Sequence, residues 1–116
     1  MSKRSERLLL EDILEAIEYV QRYTMGLDFT SFNKDRKTQD AVVRNFEVIG
    51  EAANKLPKTF TEKYPNVDWS GMIGFRHKLI HDYFGVDYFI VWSIIQTHLP
   101  LLHQQVKQIA EAFDET

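Results

Sequence analysis

The chain has 116 residues, of which 44% are hydrophobic and 27% are charged, and its formal net charge is −3. This composition is ordinary for a soluble globular protein, and the length predicts a single domain over residues 1–116. The acidic balance argues against a general nucleic-acid coat, although it leaves room for a local basic patch. The absence of cysteine excludes disulfides, thiolate chemistry and cysteine-based zinc sites.

The N-terminal stretch is polar and charged over residues 1–7, and Glu11 and Asp12 interrupt the apolar run that follows. This pattern predicts neither a signal peptide nor a membrane-spanning segment. We therefore expect a cytoplasmic protein without a membrane partner.

Apolar residues recur at helical spacing along the chain, and no stretch shows strand-like alternation. The first predicted helix covers about Ser5–Tyr23, and the second begins between Thr30 and Thr38 and ends at Leu56. A central helix lies within 68–87. Two further helices run from Tyr88 to about His98 and over Leu101–Phe113. Residues 58–64 are predicted to form a short helix or turn, and Pro100 predicts a kink or the start of a new helix. The expected inward residues of the first, second and last helices are Leu9, Leu10, Ile13, Leu14, Ala16, Ile17, Val20, Val42, Phe46, Ile49, Ala53, Leu56, Leu102, Val106, Ile109 and Phe113. The sequence therefore predicts an all-α fold, an up-down bundle of four to five helices.

The central helix, within 68–87, has a good N-cap in Asp68 and a C-terminal stop in Gly85. Its expected apolar side consists of Trp69, Ile73, Ile80, Tyr83 and Phe84. Arg76 falls within this apolar side, and a guanidinium there needs a partner because burying an unpaired charge is very costly.

Two glycines, Gly71 and Gly74, lie on a flank of the same helix, close to His81. Glycine in a helix costs about 0.5–1 kcal/mol relative to alanine. That cost suggests that a partner helix or a ligand backbone approaches this flank closely.

Two acidic residues of the second helix, Glu47 and Glu51, are candidate partners of Arg76. They belong to a polar line in which residues are three or four apart, as in ordinary exposed ion pairs on one helix. From the residues alone we favour the interpretation that Glu47 and Glu51 form exposed ion pairs within their own helix. The alternative is that one of them pairs with Arg76 and orients it.

A metal site is not expected. His77 and His81 share a helix face, but no third ligand accompanies them. Ser70 and Ser93 lack the setting of a catalytic nucleophile, and the glycines form no phosphate-binding loop. We therefore expect no cofactor.

Arg76, His81 and Tyr83 remain, and their chemistry suits phosphodiester cleavage without a metal ion. Imidazole can transfer protons near neutral pH, and a guanidinium can hold the charge that develops on phosphorus. Arg76 and His81 lie about 140° apart on an ideal helix, so they cannot easily reach one phosphate together. A two-fold dimer packed along the glycine flank would bring two sets of these residues together and remove this difficulty. The residues alone favour a plainer interpretation, in which the arginine is a paired core residue and the histidine lies on the surface.

The segment Arg76–Tyr83, Arg-His-Lys-Leu-Ile-His-Asp-Tyr, resembles the Arg-x-x-x-x-His-x-Tyr signature of HEPN domains, specifically that of HepT-like ribonucleases. The segments Asp35–Asn45 and Ile49–Ala53 resemble the second helix of that family, and Tyr83–Asp87 its motif exit. The resemblance covers nearly the whole chain.

The resemblance implies an all-α homodimer with active sites at its interface, acting as a metal-independent endoribonuclease toxin on RNA. It implies an MNT-type nucleotidyltransferase antitoxin that silences the toxin by transferring AMP to Tyr83. Arg76 and His81 would form the catalytic pair. His77 occupies a position where the family often has asparagine or another polar residue. It could act as a second proton carrier, or it could only form a hydrogen bond. Glu47 and Glu51 would orient the arginine.

Two alternatives stay open beside the toxin. The chain could be a non-catalytic accessory or substrate-binding subunit of a minimal nucleotidyltransferase, as its acidic charge suggests. It could also be a helical scaffold without chemistry, which the glycine flank alone would support.

Overall fold

The computed structural model describes residues 4–82 and 85–114, and this part of the chain folds into seven helices without a strand. The helices are α1 (Glu6–Thr24), α2 (Phe29–Lys34), α3 (Arg36–Lys55), α4 (Lys58–Thr61), α5 (Trp69–His81), α6 (Tyr88–Thr97) and α7 (Leu99–Asp114). The predicted all-α bundle is confirmed: five longer helices form it, and α2 and α4 are short additions. None of the described helices combines the length and the hydropathy that crossing a bilayer requires.

Polar side chains begin five of these helices by accepting backbone N–H groups that the helix cannot satisfy itself. The capping residues are Ser5, Asp28, Asp35, Asp68 and Asp87. The second long helix begins directly after Asp35, which is one of the three capping residues that the sequence analysis allowed between Thr30 and Thr38. It ends α2 and begins α3, and its carboxylate accepts from the backbone N–H and the hydroxyl of Thr38. These two hydrogen bonds hold the pKa of Asp35 below its ordinary value.

The core lies between α1 and α3, with α5 packed on α3 and α7 packed on α1. The predicted inward residues of α1 and α3 are confirmed, because all of them are buried except Leu14, which is partly buried against the same core. On α7 the predicted Val106 and Ile109 are buried, and Leu102 and Phe113 are partly buried.

The predicted inward face of α5 is confirmed in part. Trp69 is buried and Ile73 is partly buried against the core, whereas Ile80 is 43% exposed and Leu79, which was not predicted, is buried. The face turned to the core continues through Phe75, whose ring meets Phe46 of α3 edge-on at 5.1 Å between centroids. Apolar residues surround this helix on several sides, so the periodicity alone did not determine which side α3 would cover. The remaining predicted face residues, Tyr83 and Phe84, lie outside the described part of the chain.

One boundary differs from prediction: helix α5 ends at His81, before Gly85, and Asp82 is its C-cap. The new helix start predicted near Pro100 is confirmed, because α6 ends at Thr97 and α7 begins at Leu99, with Pro100 as its second residue. Proline is tolerated there because N–H groups of the first turn have no partner within the helix.

Candidate active site

Arg76 lies on the side of α5 that crosses α3. Its side chain is partly exposed, but its Nε atom is buried and has no hydrogen-bond partner among the described residues. The stem of the side chain runs against the backbone of α3 at Gly50. Because Nε is enclosed while the residue as a whole is partly exposed, the remainder of the guanidinium is the part that can bind an anion from solvent.

The candidate partners of this arginine pair elsewhere. Glu47 lies 3.6 Å from Arg44, and Glu51 lies 3.2 Å from Lys55, as in ordinary ion pairs along one helix. No ion pair joins either carboxylate to Arg76 in the described part of the structure. The two acidic residues nevertheless flank Gly50, which touches the arginine, so their predicted role in orienting it stays a prediction.

His81 is the last residue of α5 and is exposed, as is His77 one turn earlier. Their ring centroids lie 4.5 Å apart with 58° between the ring planes, so the two imidazoles occupy one face of the helix. Among the described residues, no group of three or more histidine, aspartate or glutamate side chains is arranged to hold a metal ion.

Arg76 and His81 diverge within one protomer. Both residues belong to the single helix α5 and are five positions apart. At about 100° per residue, their side chains point in directions about 140° apart around the helix axis. The arginine faces the crossing with α3, whereas the histidine side of the helix is open. That open side also carries Gly74, which has no neighbouring atom within 4 Å where a Cβ would stand.

Tyr83, the predicted modification target, lies outside the described residues, so its role stays a prediction. The other two histidines have local roles instead. His103 is 2.9 Å from Glu18 and links α7 to α1, and His98 is 2.7 Å from the hydroxyl of Thr97.

Comparison with known proteins decides the family. The profile of the family described as "Ribonuclease HepT-like" matches residues 13–109. This chain belongs to the HepT-like ribonuclease family. The match includes α3 and α5, and with them all the candidate residues.

Relatives of similar length support this family assignment. "Putative RNase MJ0127" of Methanocaldococcus jannaschii is 46% identical over 96% of this chain and 89% of its own. "Probable ribonuclease HepT" of Thermococcus cleftensis is 41% identical over 92% of this chain and 97% of its own. "Putative RNase TTE0752" of Caldanaerobacter subterraneus is 44% identical over 93% of this chain and 96% of its own. Among solved structures, none matches the chain.

One residue at the site of this HepT-like chain was missed by the sequence reasoning. Gly50 touches Arg76, yet the sequence assigned it no role beyond the family resemblance. The available signal was a glycine in the middle of a long helix, where it is unfavourable by about 0.5–1 kcal/mol relative to alanine. The same reasoning was applied to Gly71 and Gly74. Gly71 faces the capping carboxylate of Asp68, and the approach of a partner to Gly74 stays a prediction.

Proposed function

We propose that this chain is a metal-independent endoribonuclease, the toxin of a toxin–antitoxin pair, in which Arg76 and His81 carry out the cleavage. The observation that carries the proposal is the state of Arg76, which has a buried Nε without a partner on the same helix as His81. Membership of the HepT-like ribonuclease family, and relatives whose names include RNase, support RNA as the substrate.

The proposed reaction is an attack of the ribose 2′-hydroxyl on the adjacent phosphorus. An imidazole takes the proton of the 2′-hydroxyl as the 2′-oxygen–phosphorus bond forms. The bond from phosphorus to the 5′-oxygen breaks, and a second proton carrier gives that oxygen a proton. The products are a 2′,3′-cyclic phosphate and a free 5′-hydroxyl. The Arg76 guanidinium holds the negative charge that gathers on the phosphoryl oxygens.

The divergence of Arg76 and His81 on α5 requires a second copy of the chain in this scheme. A two-fold axis beside the open side of α5 would bring two sets of these residues to one cleft. Gly74 on that side leaves room for such a contact, because no atom lies within 4 Å of where its Cβ would stand. The dimer would also supply histidines for both proton transfers, with His77 as a further proton carrier or a hydrogen-bonding group.

Silencing by a nucleotidyltransferase antitoxin completes the proposal. Transfer of AMP to Tyr83 would place bulk and negative charge two residues beyond His81, where the RNA phosphate must bind. The support for this step is the match of the chain to the family signature.

The experiment is cleavage of RNA in the presence of EDTA by the wild type and by His81→Ala, with His98→Ala as the matched control. We expect His81→Ala to lose about 100-fold or more of the rate, because proton transfer by a positioned side chain contributes at least that much. His98→Ala should retain the wild-type rate. Equal rates for His81→Ala and the wild type would reject the assigned role.

A second function, a non-catalytic accessory subunit of the nucleotidyltransferase, is favoured by the divergence of Arg76 and His81 within one protomer. Mass spectrometry after coexpression with the transferase would then find AMP on Tyr83, although the purified chain would leave RNA intact. An unmodified tyrosine together with no stable complex would reject this alternative.

A further inference from the structure

The crossing of α3 and α5 is built around a position without a side chain. Gly50 is buried on α3, and a Cβ placed on it would overlap the Cβ of Arg76. The same Cβ would lie 2.8 Å from the carbonyl oxygen of Met72 and 2.9 Å from the Cδ of Arg76. Real Cβ atoms do not approach other heavy atoms this closely, so no other residue fits this crossing as it stands.

Rotation of a side chain does not relieve this contact. The Met72 carbonyl belongs to the backbone of α5, and the Arg76 Cβ is bonded directly to that backbone. A methyl group at position 50 therefore has to push α5 away from α3, and Arg76 moves with the helix. The buried position of its Nε depends on the same close approach.

We propose that Gly50 is a positioning residue for Arg76: by carrying no side chain it sets the spacing of α3 and α5 at which the guanidinium reaches the RNA phosphate. This inference rests on the proposed function, in which Arg76 stabilises the phosphoryl charge. A displacement of about 1 Å at a reacting group can cost about 100-fold in rate, so one methyl group is enough to matter.

The kinetic test is Gly50→Ala in the full-length chain. We expect kcat to fall about 10- to 100-fold with a much smaller change in KM, because charge on the phosphoryl oxygens is greatest in the transition state. In an Arg76→Ala background the same change should cause no further loss of kcat, since the group that Gly50 positions is absent. An equal loss in both backgrounds would overturn the proposal.

The matched control is Val106→Ala on α7, a fully buried position outside the two helices that cross. It removes core volume and destabilises the fold, but it should leave the kcat of the folded protein unchanged. A kcat loss in this variant as large as that in Gly50→Ala would show that general destabilisation suffices, and the positioning role would be rejected.

A spectroscopic test separates this proposal from the proposed function and does not require Gly50→Ala to fold. In the NMR spectrum of the wild type without RNA, the Hε of Arg76 should exchange slowly with water and show a contact with the Gly50 Hα. The signal can be assigned through its loss in Arg76→Lys. Exchange as fast as that of the exposed Arg44, or absence of the Gly50 contact, would overturn the positioning role. A wild type with this signal but without RNA cleavage would reject the ribonuclease instead.

Discussion

Arg76 has a buried polar group without a hydrogen bond to any described residue, which lowers the stability of the folded state and is rare in folded proteins. Its Nε–H is buried, and no described residue accepts a hydrogen bond from it. An unsatisfied buried donor costs about 1–3 kcal/mol, more when the group is charged. The nearby carboxylates Glu47 and Glu51 pair with other residues, so the protein does not use them to offset this cost. Local violations of this kind are typical of functional sites.

We predict that Arg76→Met raises the free energy of unfolding by about 1–3 kcal/mol while it lowers the rate of RNA cleavage by about 100-fold or more. Methionine retains an apolar stem but removes the unpaired donor. Urea denaturation without RNA measures the change. The control is Arg44→Met on the exposed side of α3, which should alter stability by less than about 0.5 kcal/mol. A loss of stability in Arg76→Met would show that Nε has a partner in the free protein.

At the scale of the elements, the inward faces of the strongly amphipathic helices were predictable, whereas the inward face of α5 was predicted only in part. Helices α1 and α3 have a single apolar stripe each, and their buried residues follow it. In α5, apolar side chains occur on both sides of Arg76, so the periodicity admits two inward faces. The choice is made by the neighbouring helix, where Gly50 and Phe46 provide the surface that α5 meets. That information lies some 25 residues away in the chain and is not visible in the local pattern.

The register of α5 predicts different costs for two neighbouring truncations. Leu79→Ala should lower the free energy of unfolding by about 2–5 kcal/mol, because the leucine is 3% exposed and its loss leaves a cavity. Ile80→Ala should cost less than about 1 kcal/mol in the isolated protomer, since its side chain is already 43% exposed. Chemical denaturation at low protein concentration compares the two variants. A larger loss for Ile80→Ala would contradict the observed register and restore the one predicted from sequence.

The junction of α2 and α3 predicts a dependence of stability on acid. The pKa of Asp35 is lowered by its hydrogen bonds to Thr38, so its contribution to stability is complete above the unfolded pKa of an aspartate. That contribution is lost as the pH falls below about 4. Asp35→Asn keeps an acceptor for the cap but cannot titrate, so its stability should fall less steeply with acid than that of the wild type. Identical slopes between pH 5 and pH 2 would contradict this account. Asp28 has a pKa lowered by Ser31 and should keep part of the acid sensitivity in both proteins.

At the scale of the whole molecule, the sequence predicted the all-α fold and the divergence of Arg76 and His81 on one helix, but not that the arginine would lie at the crossing with α3. A sequence motif reports that Arg76 and His81 are five residues apart. The helix then turns one towards α3 and the other towards the open side. In the proposed function, convergence of these groups depends on symmetry between two copies, and a motif within one chain does not specify that symmetry.

The most direct measurement is RNA cleavage by an equimolar mixture of Arg76→Ala and His81→Ala after the subunits have exchanged. If a site takes its arginine from one protomer and its histidine from the other, half of the dimers are mixed, and each contains one intact pair. The mixture should then regain about a quarter of the wild-type activity, although each variant alone retains about 1% of it or less. A mixture that stays as inactive as its components, with subunit exchange verified by mass spectrometry, would contradict an active site shared between two copies of α5.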